Sequence, residues 1–376
     1  MGIKSLSTIL NQYCKCGIKN VTLETFRGKV LAIDTSIFLY KFTYNTSDYL
    51  EGFTRQILRL LRNGITPLYV FDGKPPEEKK EILNDRKYKR NLLVKKKKLI
   101  ESILENKEFD GTGMEKYLED LKGKSFETLK DEITKIKRKI IYITGDDINR
   151  TKKLFELFGV PYLEADGEAE TFCSVLSRKG YITGCITEDT DYLASGGDNF
   201  IRGFNSNNNN IVLCRLNEIL SELGVTYEQF LDICILCGCD YTTKITGIGA
   251  IKAYKFIKKY NNIETIIEKL SSNTSYKVQD NFNFHKAREL LKCENTFDLS
   301  NIDKNNFKLR NVNEELLIDY LNKNSEILKT KYYNEIALKL CKYRANINID
   351  ENTKVKKQKR IGDFFERKKY FITEEI

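Results

Sequence analysis

The sequence predicts an α/β fold, a parallel sheet covered by helices. Short, near-continuous apolar runs such as residues 29–34 (KVLAID) have the composition of strands buried on both faces. They alternate with stretches of helical spacing through the first two thirds of the chain. The 376 residues suffice for one large domain or two smaller ones with a full core. Hydrophobic residues at 41% and charged residues at 31% exclude a largely disordered chain. No apolar run approaches the roughly 18–20 residues needed to cross a bilayer, so no membrane is expected as a partner.

Taken in order, a helical stretch follows residue 34 through residue 62, and residues 66–72 (TPLYVFD) repeat the strand pattern. Residues 76–139 are Lys- and Glu-rich and favour helix, which marks them as an excursion from the core. Residues 160–164 and 181–188 (YITGCITE) read as two more strands, with helices before and between them, and 207–210 as a polar loop. From 215 to about 344 the pattern is nearly all helical; beyond 346 the chain turns polar and basic, as a mobile tail would. The expected division is an N-terminal region 1–106, an internal region 140–260, a helical part 261–346 and the tail 347–376.

Lys and Arg number 63 against 53 Asp and Glu, a net charge of +10. The positive charge is clustered, with eight basic residues and no acid in 86–98 and eight against two acids in 354–369. Such stripes are the footprint of phosphate-backbone binding, and also of a solvated helix face or a localisation signal. Ten cysteines are expected as reduced thiols in an intracellular compartment. Cys234, Cys237 and Cys239 sit in or just after an apolar helical run, and the only histidine is His285. The group therefore reads as small hydrophobes rather than zinc ligands.

Acids recur where the strands end. Asp34 closes the first strand, Asp72 the second, and Asp189 and Asp191 follow the strand at 181–188. In an open parallel sheet, ligands bind outside the carboxyl ends of the strands. Glu168 and Glu170 begin a helix, and Asp240 lies where another helix gives way to a turn. Singly, each has an ordinary structural role: Asp34 as an N-cap, Asp72-Gly73 as a turn, Glu168 as a favourable helix start. Crowded on one rim, like charges repel unless cations neutralise them, and oxygen-rich clusters suit Mg²⁺ or Mn²⁺. Two such ions about 3.5–4 Å apart can clamp both oxygens of a phosphodiester displacement, so a two-metal nuclease is expected.

The segments Met1-Gly2-Ile3, Ala32-Ile33-Asp34, Tyr69-Val70-Phe71-Asp72-Gly73-Lys74-Pro75-Pro76, Gly167-Glu168-Ala169-Glu170, Thr187-Glu188-Asp189-Thr190-Asp191 and Gly238-Cys239-Asp240-Tyr241 stand in one order. As an ordered set, covering residues 1 to about 260, they resemble the flap endonucleases, a family of structure-specific 5′ nucleases. The resemblance implies a PIN-like 5′-nuclease core that cuts 5′-flap DNA near the single-strand/double-strand junction in replication and repair. It places Asp34, Asp72, Glu168 and Glu170 around one Mg²⁺ and Asp189, Asp191 and Asp240 around or behind a second, with Mn²⁺ able to substitute. It makes 76–139 a helical arch in which Lys79 and Arg86, seven residues apart, face the scissile phosphate. It assigns DNA contacts to Gly2, to Tyr40 as a base-stacking aromatic, and to Gly247, Gly249 and Lys252 in a helix–turn–helix element at 238–260. That element can hold K⁺, although Lys244 stands where the family has a small hydroxyl residue.

Two spacings depart from the family pattern. The Asp34–Asp72 interval is short and the Asp72–Glu168 interval long, which implies an altered, enlarged arch. In the tail, Gln358, Ile361, Phe364 and Phe365 have the Q-x-x-I-x-x-F-F spacing of a peptide that docks on the replicative sliding clamp. The expected state is a monomer on branched or flap DNA, in the nucleus or at a site of viral DNA replication. The rival readings are a catalytically weak DNA scaffold recruited to the clamp, an exonuclease or excision-repair relative, and a ribonuclease on a similar core.

Overall fold

A computed structural model describes residues 2–325 apart from 47, 106–114, 122, 206–207, 271–274, 294–296 and 301. The expected tail and its clamp peptide, Gln358, Ile361, Phe364 and Phe365, lie outside the described residues.

The strands are β1 (Ile18–Thr22), β2 (Val30–Asp34), β3 (Thr66–Phe71), β4 (Tyr162–Glu164), β5 (Gly184–Ile186), β6 (Phe200–Arg202) and β7 (Asn210–Cys214). They form one seven-stranded sheet in the order β1-β7-β6-β5-β2-β3-β4. The five strands from β6 to β4 are parallel, as expected, but β7 runs antiparallel to both β6 and β1. Only residues 203–209 separate β6 from β7, too few for the crossover that parallel pairing requires. The polar loop read at 207–210 thus runs directly into an unforeseen strand. Alternate residues of β2 and β3 enter different cores: Ala32, Leu68 and Val70 on one face, Leu31, Ile33, Tyr69 and Phe71 on the other. Burial on both faces is why these strands read as continuous apolar runs.

The helices are α1 (Leu6–Tyr13), α2 (Thr35–Thr46), α3 (Tyr49–Arg62), α4 (Lys80–Glu105), α5 (Glu115–Leu121), α6 (Phe126–Lys139), α7 (Gly145–Phe158), α8 (Ala169–Arg178), α9 (Asp191–Ala194), α10 (Leu216–Leu223), α11 (Tyr227–Cys237), α12 (Ala250–Tyr260), α13 (Ile263–Leu270), α14 (Phe284–Lys292) and α15 (Glu314–Asn324). One core takes its helical apolar residues from α1 and α8–α14, the other from α2, α3, α7 and α15. The charged excursion forms α4, α5 and α6, which carry a third cluster of their own: Leu99, Ile100, Leu121, Leu129, Ile133 and Ile136. Glu132 on α6 accepts from Lys96 at 2.6 Å and Lys124 at 3.0 Å, pinning α6 to α4.

After β2 the chain adds β3 and β4 on one side, then places β5 on the other. The order therefore reverses between β2 and β5. A crevice opens outside the carboxyl ends of strands at such a point.

Candidate metal centre

Asp34 stands at that crevice. It is the last residue of β2, only 2% exposed, and its Oδ1 accepts from the Ile37 amide at 3.2 Å. It does begin α2 as a cap would, while Oδ2 accepts from Thr187 Oγ1 at 3.0 Å. Asp72 follows β3 and accepts from the Ala169 amide at 2.8 Å, which ties the end of β3 to the start of α8. Gly73 is required beside it, because a Cβ there would lie 2.0 Å from the Ala165 carbonyl oxygen.

Glu168 is the extended residue before α8, and Glu170 lies buried in that helix's first turn. Asp189 donates its amide to Thr187 Oγ1 at 3.1 Å and accepts the Asp191 amide at 3.0 Å. Asp191 opens α9 and is fully buried, and among the described residues neither of its carboxylate oxygens has a hydrogen-bond partner. Asp240 lies in the turn after α11, with Tyr241 beside it donating its hydroxyl to Glu168. Two cations enter the cluster. Lys79 Nζ bonds Glu168 and lies 3.6 Å from Asp240 Oδ2, and Arg86 Nη2 donates to that same oxygen at 2.7 Å. Lys79 ends the 3₁₀ turn Glu77–Lys79 rather than belonging to α4, yet both cations reach one carboxylate.

The electrostatics follow from this crowding. Burial, then the Asp72 charge, push the Asp34 carboxyl up to about 8. Burial and Asp189 hold both Glu170 and Asp191 well above the usual carboxylate range, and burial raises Asp189 as well. Burial alone would lower Lys79, but Glu168 and Glu170 outweigh it and hold the ammonium charged. Glu170, Asp189 and Asp191 each offer an oxygen within 4.8 Å of the others. A buried carboxylate with both oxygens unpartnered costs free energy unless a cation satisfies it. Hard oxygen donors fit Mg²⁺ or Mn²⁺. The trio draws Glu170 from one expected ligand set and Asp189 and Asp191 from the other, so the two sets share one cluster.

The other predicted residues fall around this centre. Gly2 has φ +79°, and a Cβ on it would lie 2.0 Å from Asp189 Oδ1. Tyr40 projects from α2 at 44% exposure and is no core residue. Gly247 has φ +87°, and Gly249 immediately precedes α12 with open space around its Cα. Lys252 donates to the Gly247 carbonyl at 3.1 Å. Cys234, Cys237 and Cys239 are buried in the core, the first two on α11. Sequence reasoning gave no role to Thr187, which links Asp34 to Asp189, or to Tyr241. Both stand inside the quoted motifs, but only the folded chain shows what their hydroxyls reach.

Two family models match: the XPG N-terminal domain over residues 1–92 and the XPG I-region over 159–240. The chain is 33% identical to Flap endonuclease 1 of Entamoeba histolytica, across 98% of this chain and 93% of that protein. The chain belongs to the flap endonuclease family. Another relative, Flap endonuclease 1-A of Sorghum bicolor, is 32% identical over 86% of this chain and 83% of its own length. Among solved structures, the catalytic core of Rad2 in complex with DNA substrate superposes with a TM-score of 0.67 at 22% identity, covering 90% of this chain and 100% of that one. Flap endonuclease-1 from Methanococcus jannaschii gives 0.59 at 23% identity, over 88% of this chain and 96% of that one. These structural likenesses establish the 5′-nuclease fold. Neither family model reaches residues 93–158, the interval that holds half of α4 and all of α5, α6 and α7 in this flap endonuclease.

Proposed function

We propose that this flap endonuclease cuts 5′-flap DNA near the single-strand/double-strand junction during replication and repair, using two Mg²⁺ ions that Mn²⁺ can replace. The observation that carries the reading is Asp191, a fully buried carboxylate with both oxygens unpartnered beside Asp189 and Glu170. Asp34, Asp72, Glu168 and Glu170 would hold one ion, and Asp189, Asp191 and Asp240 would hold or back the other. Bound there, the ions supply charge neutralisation and Lewis acidity for phosphodiester hydrolysis.

The protein's own residues supply the rest. Lys79 and Arg86, held at the cluster's edge, have the charge to stabilise the phosphate in the transition state. The Gly247–Gly249 turn offers backbone amides at the start of α12, and Lys252, Lys255 and Lys259 give that helix an exposed basic face toward duplex DNA. K⁺ at this turn belongs to the proposal. Tyr40, exposed one and a half turns into α2, has the form of a base-stacking platform, and Gly2 brings backbone close to the same crevice. The tail peptide Gln358-Ile361-Phe364-Phe365 would recruit a monomeric enzyme to a nuclear sliding clamp.

Cleavage of an end-labelled 5′-flap duplex in Mg²⁺, with Asp189→Ala alongside, tests this reading. Wild type should cut near the junction, and the variant should be slower by at least about 10²-fold. Failure of both to cut, with flap binding retained, would establish the scaffold instead. Preferential cutting of a matched RNA flap would favour the ribonuclease.

A further inference from the structure

The carboxylate cluster is asymmetric. On one side Glu170, Asp189 and Asp191 lie close together, and the Asp191 oxygens are free of protein donors. On the other, Glu168 is engaged twice, its Oε1 by Lys79 and its Oε2 by the Tyr241 hydroxyl. Asp240 Oδ2 is likewise shared by Arg86 at 2.7 Å and Lys79 at 3.6 Å. Lys79 is only 7% exposed, whereas the next residue, Lys80, is exposed and pairs with Glu77 at the surface. A lysine in such a place is tolerated only because acids surround it. Its ammonium bridges a carboxylate from the start of α8 and one from the turn after α11, as a cation bound between them would.

We propose that Lys79 is the resident counter-ion of Glu168 and Asp240, one carboxylate from each ligand set, and that its withdrawal admits the second divalent ion to the cluster. The inference rests on the metal reading above and adds an order of filling. The set that holds Asp189 and Asp191, where the Asp191 oxygens lack protein donors, would fill first, and the set that holds Glu168 would fill second, in competition with the ammonium on Glu168 Oε1. Lys79 ends a 3₁₀ turn that leads directly into α4, where Arg86 resides. Because the two cations share this one continuous segment, a shift of it would carry both away from Asp240 together. Lys79 is thus a positioning residue for metal before it faces phosphate.

The test is Mn²⁺ binding by the full chain without DNA, followed by titration calorimetry. Wild type should bind one Mn²⁺ tightly and a second weakly. Removing the competing charge in Lys79→Met should tighten the second by about tenfold or more, since like charges a few ångströms apart repel strongly. Lys79→Arg should stay close to wild type, and Lys80→Met, which removes a surface charge one residue away, should change little. The rise in melting temperature on adding Mn²⁺ should be larger for Lys79→Met than for wild type, which also covers a variant unstable in chelator. An unchanged or weaker second site in Lys79→Met, or an equal gain in Lys80→Met, overturns the counter-ion role and leaves the metal reading standing. Absence of Mn²⁺ binding in every protein overturns both.

Discussion

Asp191 shows how much of this site is strain at single residues. Its carboxylate is fully buried without a donor, so folding without metal either strips it of water or forces it to keep a proton. Asp191→Asn should abolish flap cleavage and, in chelator, stabilise the fold by roughly 0.5–2 kcal/mol, the usual trade at a functional site. Chemical denaturation checks this, and a loss of stability would mean that the charge is compensated in the native state. The same crowding sets a pH dependence. Asp34 is raised from 3.8 to about 8, so the folded chain binds a proton that the unfolded chain has released. This contribution is fully present below the unfolded value and is lost as pH rises through that window. Metal-free protein should therefore melt lower at pH 8 than at pH 5.5, and saturating Mg²⁺ should flatten the difference by holding the carboxylates ionised. The acids themselves were legible because they punctuate strand ends; their partners Thr187 and Tyr241 were not, because a hydroxyl's reach across 153 residues of chain, as from Thr187 to Asp34, has no local signal.

Among the elements, α4–α6 behave as a unit with their own small core. Ile133, 8% exposed on α6, packs in that cluster and in neither main core. Ile133→Ala should cost about 2–4 kcal/mol of local stability, seen as faster amide exchange confined to α4–α6. Flap cleavage should fall while Mn²⁺ binding persists, since every expected metal ligand lies on another element. Exchange that rises uniformly across the chain would refute that independence. The helices of this excursion were readable from composition, because Lys- and Glu-rich stretches favour helix without tertiary help. Strands β1 and β6 were missed for the opposite reason: β6 has three residues and β1 is exposed or half-buried throughout, so neither shows a sustained period.

At the scale of the whole molecule, a net charge of +10 coexists with a site built from carboxylates. In the proposed function the exposed basic residues of α4 attract the DNA backbone, and the buried carboxylates hold divalent metal. Flap affinity should fall steeply and linearly in log salt, with a slope of about −0.9 for each duplex phosphate neutralised. The tail carries two adjacent aromatics in a polar, basic setting. Phe364→Ala with Phe365→Ala should reduce clamp-stimulated cleavage to the unstimulated rate, measured with and without clamp on one flap substrate. Retained stimulation would place the clamp contact elsewhere.

Residues 29–34 and 66–72, with their terminal aspartates, specified by themselves a parallel sheet and an acidic rim, because a strand buried on both faces must be apolar throughout and break at its polar end. The ordered acid motifs specified the family. Only the tertiary structure decided that β5 lands beside β2, opening the crevice where Thr187 links Asp34 to Asp189. It also decided that Lys79 lies inside the cluster while Lys80 faces solvent. Strand order and a side chain's burial depend on contacts among segments far apart in sequence, and no local pattern of charge or hydropathy encodes them.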